Sequence, residues 1–150
     1  MSAGAWKNLV FFGVLFGGLL GAKFWFGRAA PVPDAFASDI RLAQAIEQSK
    51  ETGKPVFALF TADWCGACQQ YKRGSLSETG VASALADRTI PVYVNIDHEP
   101  DDVSLMAAMG LSVRSIPTSV VISGGEVTST AVGPQSSSAV LAMIKAGEEG

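Results

Sequence analysis

The two cysteines of the chain, Cys65 and Cys68, are separated by two residues in the stretch TADWCGACQQ at positions 61–70. Such a pair can bind a metal, form a structural disulfide or carry out thiol–disulfide exchange. Two cysteines and one histidine, His98, do not complete a tetrahedral zinc site. A structural disulfide over so short a loop would constrain the unfolded chain little. The spacing therefore favours a redox function without a metal or another cofactor.

The residues around the pair predict how the two thiols are positioned. Val56–Thr61 is a short apolar run rich in strand formers, and a helix is predicted to open at the cysteines and to continue through Tyr71. At the start of that helix, unpaired N–H groups and the helix dipole favour an anion, which should lower the pKa of the Cys65 thiol below about 8.5. We expect Cys65 to attack a disulfide and Cys68, one turn later and less exposed, to resolve the product.

The remaining elements alternate between helices and strands. A helix with Ser38 as its N-cap and its end at Gly53 precedes the first strand, and Gly124-Gly125 forms a two-residue hairpin turn. Further helices are predicted at Val81–Ala86, Pro100–Met109 and from Ser136 to Lys145, and further strands at Ile90–Ile96, Thr118–Ser123 and Glu126–Val132. This order predicts an α/β fold with an antiparallel hairpin at one side of the sheet.

The N-terminal segment differs in composition from the rest of the chain. Leu9–Phe26 contains eighteen residues with one charge, and as a helix it would span roughly 27 Å, close to the ~30 Å hydrocarbon core of a bilayer. Trp6 and Trp25 would mark the two interfaces. We predict a single transmembrane anchor at 1–26, a Pro/Ala-rich tether at 27–37 and a folded domain at 38–150. A cleaved signal peptide and a buried helix are the alternatives for the first segment.

Three glycines, Gly13, Gly17 and Gly21, recur at a spacing of four residues within this segment. They form two overlapping GxxxG patterns, which let membrane helices approach closely. The patterns predict weak self-association into a homodimer. The alternative is that they reflect only how common glycine is in membrane helices.

Composition limits the classes of partner. The chain has a formal net charge of −3 at neutral pH, and 48% of its 150 residues are hydrophobic. This length and this hydrophobic fraction are sufficient for one domain with a core. The domain lacks the clustered basic residues that phosphate backbones require, so we expect no nucleic acid among its partners.

Several short motifs resemble the thioredoxin family, and the resemblance covers most of 38–147. They are WCGAC at 64–68, NID at 95–97, VRSIPT at 113–118, and GGEV at 124–127 followed by VG at 132–133. The stretch GKPVFALFTADWCGACQQYK is similar in particular to the periplasmic C-terminal domain of DsbD-type thiol:disulfide interchange proteins. The resemblance implies a thioredoxin fold, in which helices flank a central mixed sheet.

The resemblance also implies roles for three residues besides the cysteines. The Ile116–Pro117 peptide bond would be cis and face the disulfide, and the backbone of Ile116 would pair with a substrate chain. Trp64 would cover the site beside Cys65. From the sequence alone, Pro117 would be an ordinary turn proline, and plain packing is the alternative for Trp64.

Three positions depart from the pattern of the family. Leu59 stands where the family has a buried acid, Tyr93 where it has a lysine, and Ala67 where it has the active-site proline. Together these changes remove the usual proton acceptor beneath Cys68. The resemblance therefore does not by itself predict fast, thioredoxin-like reductase kinetics.

These features predict a membrane-tethered thiol:disulfide oxidoreductase that reduces protein disulfides through its CxxC dithiol. Its partners would be protein disulfide substrates and a thiol electron donor. It would be a single-pass protein of the inner membrane, with its domain in the periplasm or another extracytoplasmic space. A disulfide oxidase or isomerase of the same fold, and a non-catalytic thioredoxin-like binding module, are the alternatives.

Overall fold

The computed structural model describes residues 3–26 and 29–150, with side chains described for residues 10–21 and 29–150. The helices in these ranges are α1 (Ala3–Phe26), α2 (Leu42–Thr52), α3 (Gly66–Arg73), α4 (Thr79–Arg88), α5 (Pro100–Ala108) and α6 (Ser137–Glu148). The strands are β1 (Val56–Thr61), β2 (Ile90–Asn95), β3 (Thr118–Ser123) and β4 (Glu126–Val132). Short 3₁₀ turns lie at Asp34–Phe36 and Ser75–Ser77.

The four strands form one mixed sheet in the order β2-β1-β3-β4. β1 pairs in parallel with β2 and antiparallel with β3, which in turn pairs antiparallel with β4. Alternate residues of β1 enter two separate cores because side chains alternate between the faces of a strand. Phe57 and Leu59 pack with α3, α4 and α6, whereas Ala58 and Phe60 pack with α2 and α5. Helices therefore flank the mixed sheet on both faces, and the predicted α/β fold is confirmed.

The strand and turn predictions agree closely with the structure. β1, β3 and β4 have the predicted bounds, and β2 ends at Asn95, one residue before the predicted end. Gly124 and Gly125 have φ values of 59° and 88°, the left-handed conformations that a tight hairpin turn of this type requires. Ser136 caps α6, since its side chain accepts a hydrogen bond from the N–H of Ala139 at 3.2 Å.

The start of α2 was expected at Ser38, and that prediction is wrong. The helix begins at Leu42 with Arg41 as its N-cap, and it ends as predicted at Gly53, whose φ is 74°. The reason lies in the preceding residues, where the 3₁₀ turn Asp34–Phe36 places the Phe36 ring in the core. Residues 37–41, between this turn and Leu42, are not helical.

Residues 30–37, predicted as part of a tether, pack against the domain. Ala30 and Phe36 are only 5% and 3% exposed. The ring centroid of Phe36 lies 6.2 Å from that of Phe57 and 6.4 Å from that of Tyr93. The first buried residues of the domain therefore precede the boundary predicted at Ser38.

Helix α1 includes the predicted anchor, Leu9–Phe26. Among the residues whose side chains are described, no helix is long and apolar enough to cross a membrane. Leu9 and residues 22–26 of the predicted anchor lie outside those residues. In the described part, Phe11, Phe12 and Phe16 are exposed, and a Cβ built on Gly13, Gly17 or Gly21 would meet no other group within 4 Å. The anchor and the self-association stay predictions.

Candidate active site

The chain leaves β1 at Thr61 and reaches the cysteines after a three-residue turn. Cys65 is the N-cap residue of α3, and its N–H donates to the carbonyl of Ala62 at 3.3 Å. Its sulfur accepts a hydrogen bond from the N–H of Cys68 at 3.2 Å. Because the first N–H groups of a helix have no partner within it, they stabilise negative charge at this sulfur. The predicted position of Cys65 at the start of a helix is confirmed.

Cys65 and Cys68 form a disulfide in the structure, with their Cα atoms 5.2 Å apart. The exposed fraction is 7% for Cys65 and 1% for Cys68. Cys65 is therefore the sulfur that a substrate can reach more easily. The assignment of Cys65 as the attacking thiol and Cys68 as the resolving thiol agrees with this difference and stays a prediction.

The loop before β3 faces the disulfide. Its Ile116–Pro117 bond is cis, as the resemblance implies, and the carbonyl oxygen of Ile116 lies 3.8 Å from the sulfur of Cys65. The carbonyl of Pro117 accepts a hydrogen bond from Gly133 at 2.7 Å, and the Thr118 hydroxyl donates to Ser115 at 2.6 Å. The loop is thus fixed from both sides next to the redox pair. Pairing of the Ile116 backbone with a substrate stays a prediction.

Trp64 is 70% exposed beside Cys65. Its indole N–H donates to a carboxylate oxygen of Asp97 at 2.8 Å, and the N–H of Asp97 donates to the Asn95 side chain at 3.1 Å. The exposure argues against plain core packing for Trp64. The sequence motifs did not indicate Asp97 as a site residue, although its position two residues after the end of β2 was a usable signal.

Gln69 is a second residue that sequence reasoning missed. Its side-chain amide donates to the carbonyls of Ala62 and Asp63 at 3.1 and 3.0 Å, and its oxygen accepts from the N–H of Ala30 at 2.5 Å. These three hydrogen bonds satisfy the buried amide and hold the backbone groups that it contacts in place. Gln69 therefore joins the turn before Cys65 to residues 30–37. Nothing in the sequence around Gln69 indicates this contact, which links positions 39 residues apart.

Two tyrosines lie on the face of the sheet that carries Leu59. Leu59 is opposite Tyr93 on β2 and opposite Ser119 on β3. The Tyr71 hydroxyl pairs with that of Ser119 at 3.1 Å. Burial raises the pKa of Tyr71, and the hydrogen bond with Ser119 opposes this rise. Tyr71 is therefore a neutral phenol and not a base at physiological pH.

Within the residues whose side chains the structure describes, no group of three or more His, Cys, Asp or Glu side chains is arranged to hold a metal ion. A disulfide at a helix N-terminus, next to an exposed indole and a fixed carbonyl, can be attacked by a thiolate, and the dithiol that results can attack another disulfide.

A family profile described as thioredoxin-like matches residues 37–123 of the chain. Thioredoxin 1 of Chlorobaculum tepidum is 37% identical over 87 residues, which are 57% of this chain and 78% of that protein. The thiol:disulfide interchange protein DsbD of Salmonella typhimurium is 38% identical over 78 residues. The match covers 51% of this chain but only 13% of DsbD.

Among solved structures, that of a DsbH oxidoreductase superimposes with a TM-score of 0.62 at 22% sequence identity. The match covers 79% of this chain and 89% of the other. At this level of identity the likeness supports the fold and not a particular substrate.

Proposed function

The chain belongs to the thioredoxin-like family and is a thiol:disulfide oxidoreductase with a CxxC disulfide, and from this we propose that it reduces disulfides of other proteins while anchored to a membrane. The observation that carries the proposal is the position of Cys65. Its sulfur lies at a helix N-terminus, where it accepts a hydrogen bond from the N–H of Cys68. The carbonyl oxygen of Ile116 lies 3.8 Å from the same sulfur. This arrangement favours a thiolate at Cys65 once the disulfide is reduced.

In the proposed cycle the reduced protein begins with a Cys65 thiolate. This thiolate attacks one sulfur of a substrate disulfide, a mixed disulfide forms, and the other substrate sulfur leaves as a thiolate that takes a proton from water. Cys68 then loses its proton and attacks the sulfur of Cys65, which releases the first substrate sulfur. Two electrons pass from the CxxC pair to the substrate. A thiol donor must later return them.

The neighbouring groups suggest how a substrate is held. The backbone of Ile116 would pair with an extended substrate chain, which would bring the substrate disulfide toward Cys65. Trp64 offers an exposed indole on the other side, and its bond to Asp97 limits the movement of the ring. Main-chain pairing of this kind recognises many sequences, which suits a protein that acts on disulfides rather than on one peptide.

Reduction is preferred to oxidation or isomerisation because of the similarity to DsbD-type domains and to thioredoxin 1. The measurement that tests the direction is the reduction potential of the purified full chain, compared with its thiol state in intact cells. We expect a potential below about −220 mV, in the range of thioredoxins and glutaredoxins, and reduced cysteines in cells. A potential near about −120 mV together with a disulfide in cells would identify an oxidase.

The proposed location is the inner membrane, with the domain in the periplasm or another extracytoplasmic space. Support comes from α1, whose 24 residues span roughly 36 Å as a helix, and from its exposed phenylalanines. Weak pairing of two chains through Gly13, Gly17 and Gly21 belongs to the same proposal.

A further inference from the structure

Lys72 is a buried lysine next to the redox pair, and the exchange cycle described above gives its charge no function. It lies on α3 one turn after Cys68 and is 1% exposed. Its ammonium donates to the carbonyl of Ala30 at 3.1 Å and to the hydroxyl of Tyr93 at 3.0 Å. The ammonium also lies 5.4 Å from the centroid of the Tyr93 ring. A lysine is rarely buried in this way unless it is paired.

One acidic and one basic side chain lie near Lys72. Asp34, from the 3₁₀ turn, and Arg73, from the same helix, line a surface cavity of about 250 Å³ with it, and Tyr93 faces it from β2. Within the described part of the chain, no carboxylate forms an ion pair with the Lys72 ammonium, whose two acceptors are neutral oxygens. Tyr71, on the same helix, bonds to Ser119 instead. The Lys72 ammonium is therefore held by neutral acceptors rather than by an ion pair.

This charge lies at the level of the turn that carries Cys68. Residues four apart on a helix have Cβ atoms about 5–6 Å apart, and their side chains lean toward the helix N-terminus. The stem of Lys72 thus lies over the Cys68 turn. Ala30 supports this placement, because its carbonyl accepts from Lys72 while its N–H donates to Gln69, the residue after Cys68.

We propose that the buried ammonium of Lys72 stabilises the thiolate of Cys68 and so sets the pH at which the mixed disulfide is resolved. In that step the Cys68 thiol gives its proton to water, and the thiolate attacks the sulfur of Cys65. The Cys65–substrate bond breaks, and the substrate thiolate takes a proton from water. Lys72 is a positioning residue, and its role rests on the exchange reaction of the proposed function.

The test is a titration of the Cys68 thiolate by its ultraviolet absorbance in the full chain in detergent, with Cys65→Ser as the parent. Lys72→Gln removes the charge but keeps a donor for the Ala30 carbonyl. We expect its midpoint at least about one pH unit above the parent, or tenfold less thiolate at a given pH. Lys72→Arg should titrate like the parent because it keeps the charge. Lys145→Gln, which removes an exposed lysine on α6, is the control for net charge and should also leave the midpoint unchanged.

Two results would overturn the inference. One is an unchanged midpoint in Lys72→Gln, and the other is an equal rise in Lys72→Gln and Lys72→Arg, which would mean that the shape of Lys72 matters and its charge does not. If Lys72→Gln does not fold, judged by circular dichroism, Lys72→Met is titrated against the same criteria. The titration needs no substrate, so its outcome is independent of whether the chain reduces protein disulfides.

Discussion

The two cysteines differ in exposure and in hydrogen bonding, although they share one disulfide. The Cys65 sulfur lies at the N-terminus of α3 and accepts a hydrogen bond from the N–H of Cys68, whereas the Cys68 side chain is almost completely buried one turn later. A thiolate forms more easily where N–H groups face it, and it attacks only what it can reach. The chemistry of the site is therefore expected to be ordered, with Cys65 first and Cys68 second.

Single-cysteine variants test this order. Cys68→Ser should accumulate disulfide-linked partners, because the mixed disulfide forms at Cys65 and is not resolved. Cys65→Ser should accumulate almost none. The measurement is a comparison of the full chain on gels with and without a reductant. The assignment of roles fails if both variants, or neither, form adducts that a reductant releases.

Because burial raises the pKa of Tyr71, we expect the free energy of unfolding to fall at alkaline pH. Burial raises its pKa in the folded protein above the usual 10.0, so the unfolded chain loses the phenol proton first as the pH rises. The contribution of the neutral Tyr71 phenol to the free energy of unfolding is fully present below about pH 10. It is lost as the pH rises through the raised pKa of Tyr71, by up to about 1.4 kcal/mol per pH unit. Urea unfolding of the oxidised protein should show this loss, and Tyr71→Phe should reduce the slope. Equal slopes would show that Tyr71 does not cause the loss.

At the scale of elements, the CxxC helix is held by contacts from several parts of the chain. Gln69 bonds to the turn that follows β1 and to Ala30, and Lys72 bonds to Ala30 and to Tyr93 on β2. Phe36, which follows Ala30 in the same segment, packs its ring against those of Phe57 and Tyr93. Residues 30–37 therefore act as a structural part of the domain and support the helix that carries the redox pair.

Truncation of Phe36 measures how much this segment contributes. Phe36→Ala removes a ring that is 3% exposed, and we expect the free energy of unfolding to fall by about 3–5 kcal/mol. Val32→Ala is the matched control, because Val32 lies in the same segment but is 43% exposed, and its effect should stay within about 0.5 kcal/mol. Urea unfolding of the oxidised chain gives both values. Similar small effects in both variants would mean that residues 30–37 form a tether after all.

At the scale of the whole molecule, the N-terminal helix is long, and only a few residues of the chain separate it from the domain. α1 ends at Phe26, and the first buried residue of the domain, Ala30, follows four positions later. Four residues extend over at most about 14 Å. If α1 is a membrane anchor, the domain is therefore held close to the membrane surface, and the partners that donate or accept electrons must reach it there.

Fractionation of cells tests the anchor. The full chain should remain with the membrane fraction after washing at alkaline pH, because about 18 apolar residues are sufficient to span a bilayer. A variant without residues 1–26 should be released. Protease added outside the inner membrane should digest residues 38–150. A soluble mature protein that begins near Ala30 or Ser38 would replace the anchor with a signal peptide, and a protected domain would reverse the proposed topology.

The sequence alone determined the elements and the redox pair. β1, β3, β4, the Gly124-Gly125 turn and the end of α2 at Gly53 followed from local patterns, because hydrophobic period and glycine conformation act over a few residues. The position of Cys65 at a helix start followed from the strand that precedes it. The cis bond at Pro117 came from the resemblance to the thioredoxin family and not from local pattern, since a cis proline has no distinct composition.

Only the tertiary structure decided which distant residues support the site. The contact of Gln69 with Ala30 spans 39 residues, that of Lys72 with Ala30 spans 42, and that of Trp64 with Asp97 spans 33. No periodic pattern marks such pairs, because a hydrogen bond between elements depends on how the elements pack and not on spacing in the chain. The burial of Lys72 is the clearest case. The sequence around Lys72 does not indicate its burial, and the carbonyl of Ala30 and the hydroxyl of Tyr93 reach its ammonium only in the folded protein.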